Sequence, residues 1–195
     1  MPPGRPRTFD TQKALDQALN VFWRKSYEGA SLLDLTKAMG INRPSLYAAF
    51  GNKESLFRKV LHRYTAGPAS YVQTALAQPT ARAVAEKLLH GGVQNLTNPA
   101  HPRGCLAVQA ALACGDDADC MRQELIRHRE SLVIALRDRF HRAKKEGDLP
   151  KDSNPADLAR YLATIMHGLS VQASSGASRK DLQKVATLAL KVWPT

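Results

Sequence analysis

Between Gly40 and Gly51 the chain reads Ile41-Asn42-Arg43-Pro44-Ser45-Leu46-Tyr47-Ala48-Ala49-Phe50. Asn42 is a good helix N-cap, and Pro44 belongs in a first helical turn, where its missing N–H costs little. A carboxamide, a guanidinium, a proline ring and a hydroxyl therefore arrive together at the start of one short helix. That grouping suits the edges and phosphates of a nucleic-acid duplex. The fork of Arg43 matches guanine O6 and N7 together, a pair worth roughly 1–3 kcal/mol of discrimination. Asn42 and Ser45 can read bases or bond phosphates, and Pro44 offers apolar contact, for example to a thymine methyl. A solvent- or phosphate-facing arginine is the plainer alternative for Arg43. Upstream, Arg5 and Arg7 in Gly4-Arg5-Pro6-Arg7 form a basic, proline-stiffened arm of the kind that lies in a narrow minor groove; a simple tail is the alternative.

The other chemistry-bearing groups lie downstream. Cys105, Cys114 and Cys120 are separated by eight and five residues, which matches no closed zinc pattern, and no histidine pair stands at ligand spacing. No metal is expected. Cys105 opens an apolar segment where a helix N-terminus and Arg103 can activate a thiol; an inert buried cysteine is the alternative. His128 on the apolar face of a long helix, with Gln109, can supply the few polar groups that orient a ligand in an apolar pocket. A hydrogen-bonded core histidine is the bland reading. The chain has no glycine-rich phosphate loop, Gly-x-Ser-x-Gly elbow, His-Glu-x-x-His or dinucleotide fingerprint. No catalytic residue and no cofactor are expected.

The elements that must position Arg43 are short helices. Ser31 followed by Asp34 is a capping-box start. Leu32, Leu33, Leu35 and Ala38 give an apolar side, and Gly40 can take the positive φ of an abrupt exit. Helix, glycine-containing turn and helix make a helix-turn-helix, whose second helix enters a major groove N-terminus first. Ser31, at a helix start, can also give its hydroxyl or a nearby N–H to a phosphate. Asp10 caps a first helix running to about Ser26, with Ala14, Leu15, Ala18, Leu19, Phe22 and Trp23 on one face. Asn52-Lys53-Glu54 opens a fourth helix to about Tyr64, with Leu56, Phe57, Val60 and Leu61 inward.

In this register, Ala30-Ser31-Leu32, Asp34-Leu35, Ala38-Met39-Gly40-Ile41, Ser45-Leu46-Tyr47, Phe50, Asn52-Lys53-Glu54 and Leu56 resemble the DNA-binding domain of the tetracycline-repressor (TetR) family over about residues 8–64. Ala48-Ala49 departs from it, since many members carry a bulky ring there. The resemblance implies that Tyr47 and Lys53 touch phosphates; core packing is the alternative for Tyr47. It also implies a homodimer reading a palindromic operator in double-stranded DNA, a small apolar or electrophilic effector that releases it, and a four-helix interface made by residues 155–193.

Downstream of Gly67-Pro68 the pattern stays helical. A helix over Thr80–Leu96 carries Gly91-Gly92, Arg103–Cys114 reads as a buried apolar helix, and a long helix runs to about Glu146. Asn154-Pro155 starts another, and Arg179–Trp193 is the last; its Leu182, Val185, Ala186, Ala189, Leu190 and Trp193 make it amphipathic enough for a bundle, with burial inside one subunit as the alternative. The expected architecture is all-α: a flexible basic arm (1–9), a helix-turn-helix DNA-binding domain (10–65) and a helical effector-binding and dimerisation domain (66–195).

Formal net charge is +11, with 11 Lys and Arg against 5 Asp and Glu in residues 1–64 and 17 against 12 in the rest. This favours a polyanionic partner without identifying it. The uncharged stretch Tyr161–Ser178 is too polar for a membrane span. The N-terminus lacks an apolar run after its charges, and three cysteines fit a reducing compartment, so a cytoplasmic protein is expected. The reading is a ligand-responsive transcriptional regulator, with repression implied by the resemblance. A thiol-based redox or electrophile sensor acting through Cys105, an architectural DNA binder and an enzyme are the other classes.

Overall fold

A computed structural model describes residues 9–112 and 119–194, except the side chains of 111, 112, 119 and 120. Arg5, Arg7, Cys114 and the side chain of Cys120 thus lie outside the described residues. The described residues form ten helices and no strand: α1 (Thr11–Gly29), α2 (Leu32–Met39), α3 (Arg43–Phe50), α4 (Lys53–Ala66), α5 (Tyr71–Leu76), α6 (Ala81–Leu96), α7 (Leu106–Leu112), α8 (Asp119–Lys145), α9 (Pro155–Ser174) and α10 (Arg179–Lys191).

Most starts are set by one capping side chain. Asp10 accepts the N–H groups of Gln12 and Lys13, Asn42 that of Ser45, Asn52 that of Ser55, Thr80 that of Ala83, and Ser178 that of Asp181. Each supplies an acceptor that the first turn lacks. Ser31 and Asp34 form the full reciprocal capping box, and Gly40 closes α2 in the left-handed region at φ 67°.

α1 differs from expectation at its end. Ser26 takes φ 60° and ψ −177°, yet helical geometry resumes and reaches Gly29. The break lets Tyr27 turn back into the core, stacked on Phe22 at 6.2 Å and edge-on to Phe57 at 5.2 Å.

Two apolar cores result. The first joins α1–α4 and also takes in Leu106, Ala107 and Ala110 of α7 and Met121 and Leu125 of α8. The second is built from α5, α6, α8, α9 and α10 around Leu88, Leu89, Leu136, Phe140, Leu162 and Leu190. At Gly92 a side chain would come within 2.4 Å of Met166 Cε, so the glycine there serves close approach of α6 and α9.

Two sequence expectations are corrected. Leu33 is 67% exposed rather than inward, because the short α2 buries only Leu35, Thr36 and Met39. The amphipathic last helix leaves Val185 exposed, beside Leu188 and Val192 on one side of α10. The helix expected from Arg103 begins at Leu106, because the preceding amides bond elsewhere: Gly104 N–H to the Leu96 carbonyl and Cys105 N–H to Ser170 Oγ at 2.8 Å.

Candidate nucleic-acid interface and effector cavity

α3 is fixed to the first core by Leu46 and Phe50, both fully or almost fully buried. Its opposite side and N-terminus are therefore presented outward. Asn42, Arg43 and Pro44 are exposed and Ser45 is half-buried. The carboxamide oxygen of Asn42 is committed to the Ser45 N–H at 2.8 Å, leaving its NH2 group as the free end. Arg43 makes no hydrogen bond or ion pair among the described residues, so its fork is uncommitted. Tyr47 is 47% exposed, which answers the core-packing alternative: its ring is on the outside of α3.

The flanking candidates are held more firmly. Ser31 Oγ donates to Asp34 Oδ2 and accepts the Asp34 N–H, while the Ser31 N–H donates to the same carboxylate. The Ser31 hydroxyl and the Ser31 and Asp34 N–H groups are thus engaged internally. Lys25 Nζ completes the site 2.7 Å from Asp34 Oδ1. The Lys25 and Ser31 hydrogen bonds hold the Asp34 carboxyl well below the usual range, at about 2. Lys53 lies with its ammonium 4.6 Å from the Tyr27 ring centre and 3.5 Å from the Glu28 carbonyl. α4 is tied to α3 by Lys59, which donates to the Ala49 carbonyl at 3.2 Å.

A cavity of about 140 Å³ lies where α4, α5, α7, α8 and α9 converge. Cys105 and His128, both singled out by sequence, line it together with Tyr64, Tyr71, Met166 and His167. Tyr64 donates its hydroxyl to Cys105 Sγ at 3.2 Å. Burial is the main cause of every shift in this lining. It pushes the phenols of Tyr64 and Tyr71 up and the imidazoles of His128 and His167 down, and Arg129 and Arg160 depress His167 further. Apart from Arg129, the polar side chains of the wall are therefore neutral hydrogen-bonding groups on an apolar surface.

Two sequence expectations about this region fail. Gln109 is not part of the wall; its amide folds back and donates to the Arg103 carbonyl at 2.8 Å. Arg103 does not attend the thiol: its guanidinium donates to the carbonyls of Ala173 and Ala177 at the end of α9. Tyr64, Tyr71 and His167 were missed. Tyr64 sits in register with Val60 and Leu61 on the buried face of α4, but nothing local says which neighbour it meets. Among the described residues no three His, Cys, Asp or Glu side chains gather as a metal site, and no helix is long and apolar enough to cross a membrane.

Comparison with known proteins agrees with this arrangement over nearly the whole chain. Residues 14–60 match the model of bacterial regulatory proteins of the tetR family, and residues 82–188 match the tetracyclin repressor-like C-terminal domain. The HTH-type transcriptional repressor ComR of Escherichia coli is 31% identical over 193 residues, 98% of this chain and 92% of ComR. A cysteine-substituted form of the TetR family regulator CifR, solved with 26-base-pair operator DNA, is 43% identical with a TM-score of 0.93, covering 97% of this chain and 100% of that one. A TetR regulator from Rhodococcus sp. RHA1 is also 43% identical, with a TM-score of 0.64 over 95% of this chain and 99% of that one. With its helix-turn-helix, its all-helical second core and these relatives, the chain belongs to the TetR family of DNA-binding transcriptional regulators.

Proposed function

We propose that this protein is a cytoplasmic, homodimeric repressor in which residues 10–65 read a palindromic operator and residues 66–195 dimerise and bind a small effector. The observation that carries the reading is the uncommitted fork of Arg43 at the exposed N-terminus of α3. Arg43 reads a base edge, with Asn42, Pro44 and Ser45 beside it; Tyr47 and Lys53 bond phosphates and position the head, and Arg5 and Arg7 follow the minor groove. Ser31 orients α2 through its capping box rather than touching DNA directly.

Dimerisation through α9 and α10 is supported by the apolar groups they leave uncovered: Val171, Val185, Leu188 and Val192 are all at least 40% exposed. At Gly168 an added side chain would meet nothing within 4 Å, which leaves α9 open to a second copy. The cavity beside Cys105 and His128 supports the effector role, because α4 supplies one wall and also carries the DNA-binding head. A ligand that binds the cavity more tightly in a head spacing unable to span the operator will release DNA.

The test is selection of sites from randomised duplex DNA with wild type and Arg43→Ala. A palindrome of two short half-sites, with relaxed preference at one position in the variant, is expected; a folded protein that enriches no sequence refutes the reading.

A second reading makes Cys105 the trigger. Its support is that the sulfur lines the cavity and accepts the Tyr64 hydroxyl, so alkylation there displaces a buried contact of α4. On this reading iodoacetamide releases operator from wild type and leaves Cys105→Ser bound.

A further inference from the structure

Resting on the cavity as the effector site, we infer that the effector is a small monocarboxylic acid, no larger than one ring, bound as its anion with the carboxylate at Arg129. The size follows from the volume. At about 140 Å³ the cavity matches the roughly 150 Å³ apolar cavities that take up benzene. A fused polycyclic body exceeds it.

The charge follows from what lines the space. No aspartate or glutamate is part of the wall, and Arg129 is its one side chain that is cationic at neutral pH. Arg129 is half-buried and makes no hydrogen bond or ion pair among the described residues. The nearby carboxylates are already taken: Glu124 accepts from Arg58 at 2.6 Å, and Glu130 accepts two bonds from Arg160 at 3.0 and 2.8 Å. Its guanidinium has no partner among the described residues beside the cavity, and a ligand carboxylate meets its fork with two parallel bonds. Burial keeps His128 and His167 neutral, so they serve the anion as hydrogen-bond donors through one ring nitrogen each. A cationic ligand finds no counter-charge here and meets Arg129 instead.

The test is calorimetric titration of the full chain with benzoate, the uncharged isostere benzamide, and anthracene-9-carboxylate. Wild type is expected to bind benzoate at least tenfold more tightly than benzamide and to take up no three-ring acid. Arg129→Gln removes the preference for benzoate, Arg129→Lys keeps part of it, and Ala135→Phe, which fills the cavity from its rim, weakens both one-ring probes. Equal or tighter binding of benzamide overturns the inference, as does a benzoate preference that survives Arg129→Gln or binding of the three-ring acid. Operator release followed in the same titrations separates this claim from the effector reading. Benzoate held at Arg129 without release upholds the ligand class and refutes the effector role. Release by uncharged or larger compounds, with no benzoate bound, refutes the ligand class and leaves the effector role intact.

Discussion

The indole Nε1–H of Trp23 donates to the carbonyl of Gly104 across 3.2 Å, joining the first helix to the segment between α6 and α7. The same indole stacks on His101 at 4.5 Å and meets Tyr64 edge-on at 4.9 Å. One residue later the Cys105 sulfur takes the Tyr64 hydroxyl while its amide bonds Ser170 of α9. Residues 101–105 are thus one joint, beside the packing of α7 and α8 on the first core, through which the helices proposed to dimerise reach those that carry the reading head. Trp23→Phe keeps an aromatic side chain but removes the donor and the five-membered ring, leaving a buried carbonyl unpaired and a small void. A loss of about 1–3 kcal/mol is expected in thermal or urea unfolding. Operator affinity should change little, whereas the effector concentration needed for release should shift.

Acid stability depends on Asp34. Its folded pKa, about 2, lies below the ordinary carboxylate value, so the unfolded chain binds the proton first. The contribution is complete above the ordinary carboxylate range and is lost as pH falls toward about 2. Asp34→Asn should therefore lower the melting temperature at neutral pH and flatten its dependence on pH in the acid limb. Melting curves of both proteins between about pH 2 and 5 check this; parallel curves refute it.

Ser26 holds a backbone conformation at φ 60° and ψ −177° that glycine adopts freely and other residues rarely do. Such strain costs on the order of 1–3 kcal/mol. Ser26→Gly relieves it, offset in part by the greater freedom of glycine in the unfolded chain. A net stabilisation of about 1 kcal/mol is expected in denaturant unfolding, and a destabilised variant would show that the Ser26 side chain matters more than its backbone.

Leu188 is 61% exposed at the centre of the free face of α10. If that face pairs with its copy, Leu188→Glu buries two like charges against each other. Dimer dissociation should rise about a hundredfold, equivalent to about 3 kcal/mol. Sedimentation should show monomer at concentrations where wild type is dimeric, and operator binding should weaken in step. An unchanged sedimentation profile would move the interface elsewhere.

The sequence by itself determined what depends on neighbours a few residues away. Asp10, Ser31, Asn42 and Asn52 cap helices where their spacing said they would, and Gly40 ends α2, because caps and turns are closed by groups within four residues. The periodic faces of α1 and α4 predicted Phe22, Trp23, Phe57 and Val60 as core for the same reason. That register also carried the family resemblance and, with it, the head. Only the tertiary structure decided which apolar residues were left over: Val185 suited a core or a bundle partner equally, and one subunit supplies nothing to cover it or Leu188. It likewise decided that Arg103 serves the end of α9, that Gln109 turns away from the cavity, and that Tyr64, Cys105, His128 and His167 share one space. Those partners lie far apart in the chain, and each side chain's choice among them is set by packing that no local pattern contains.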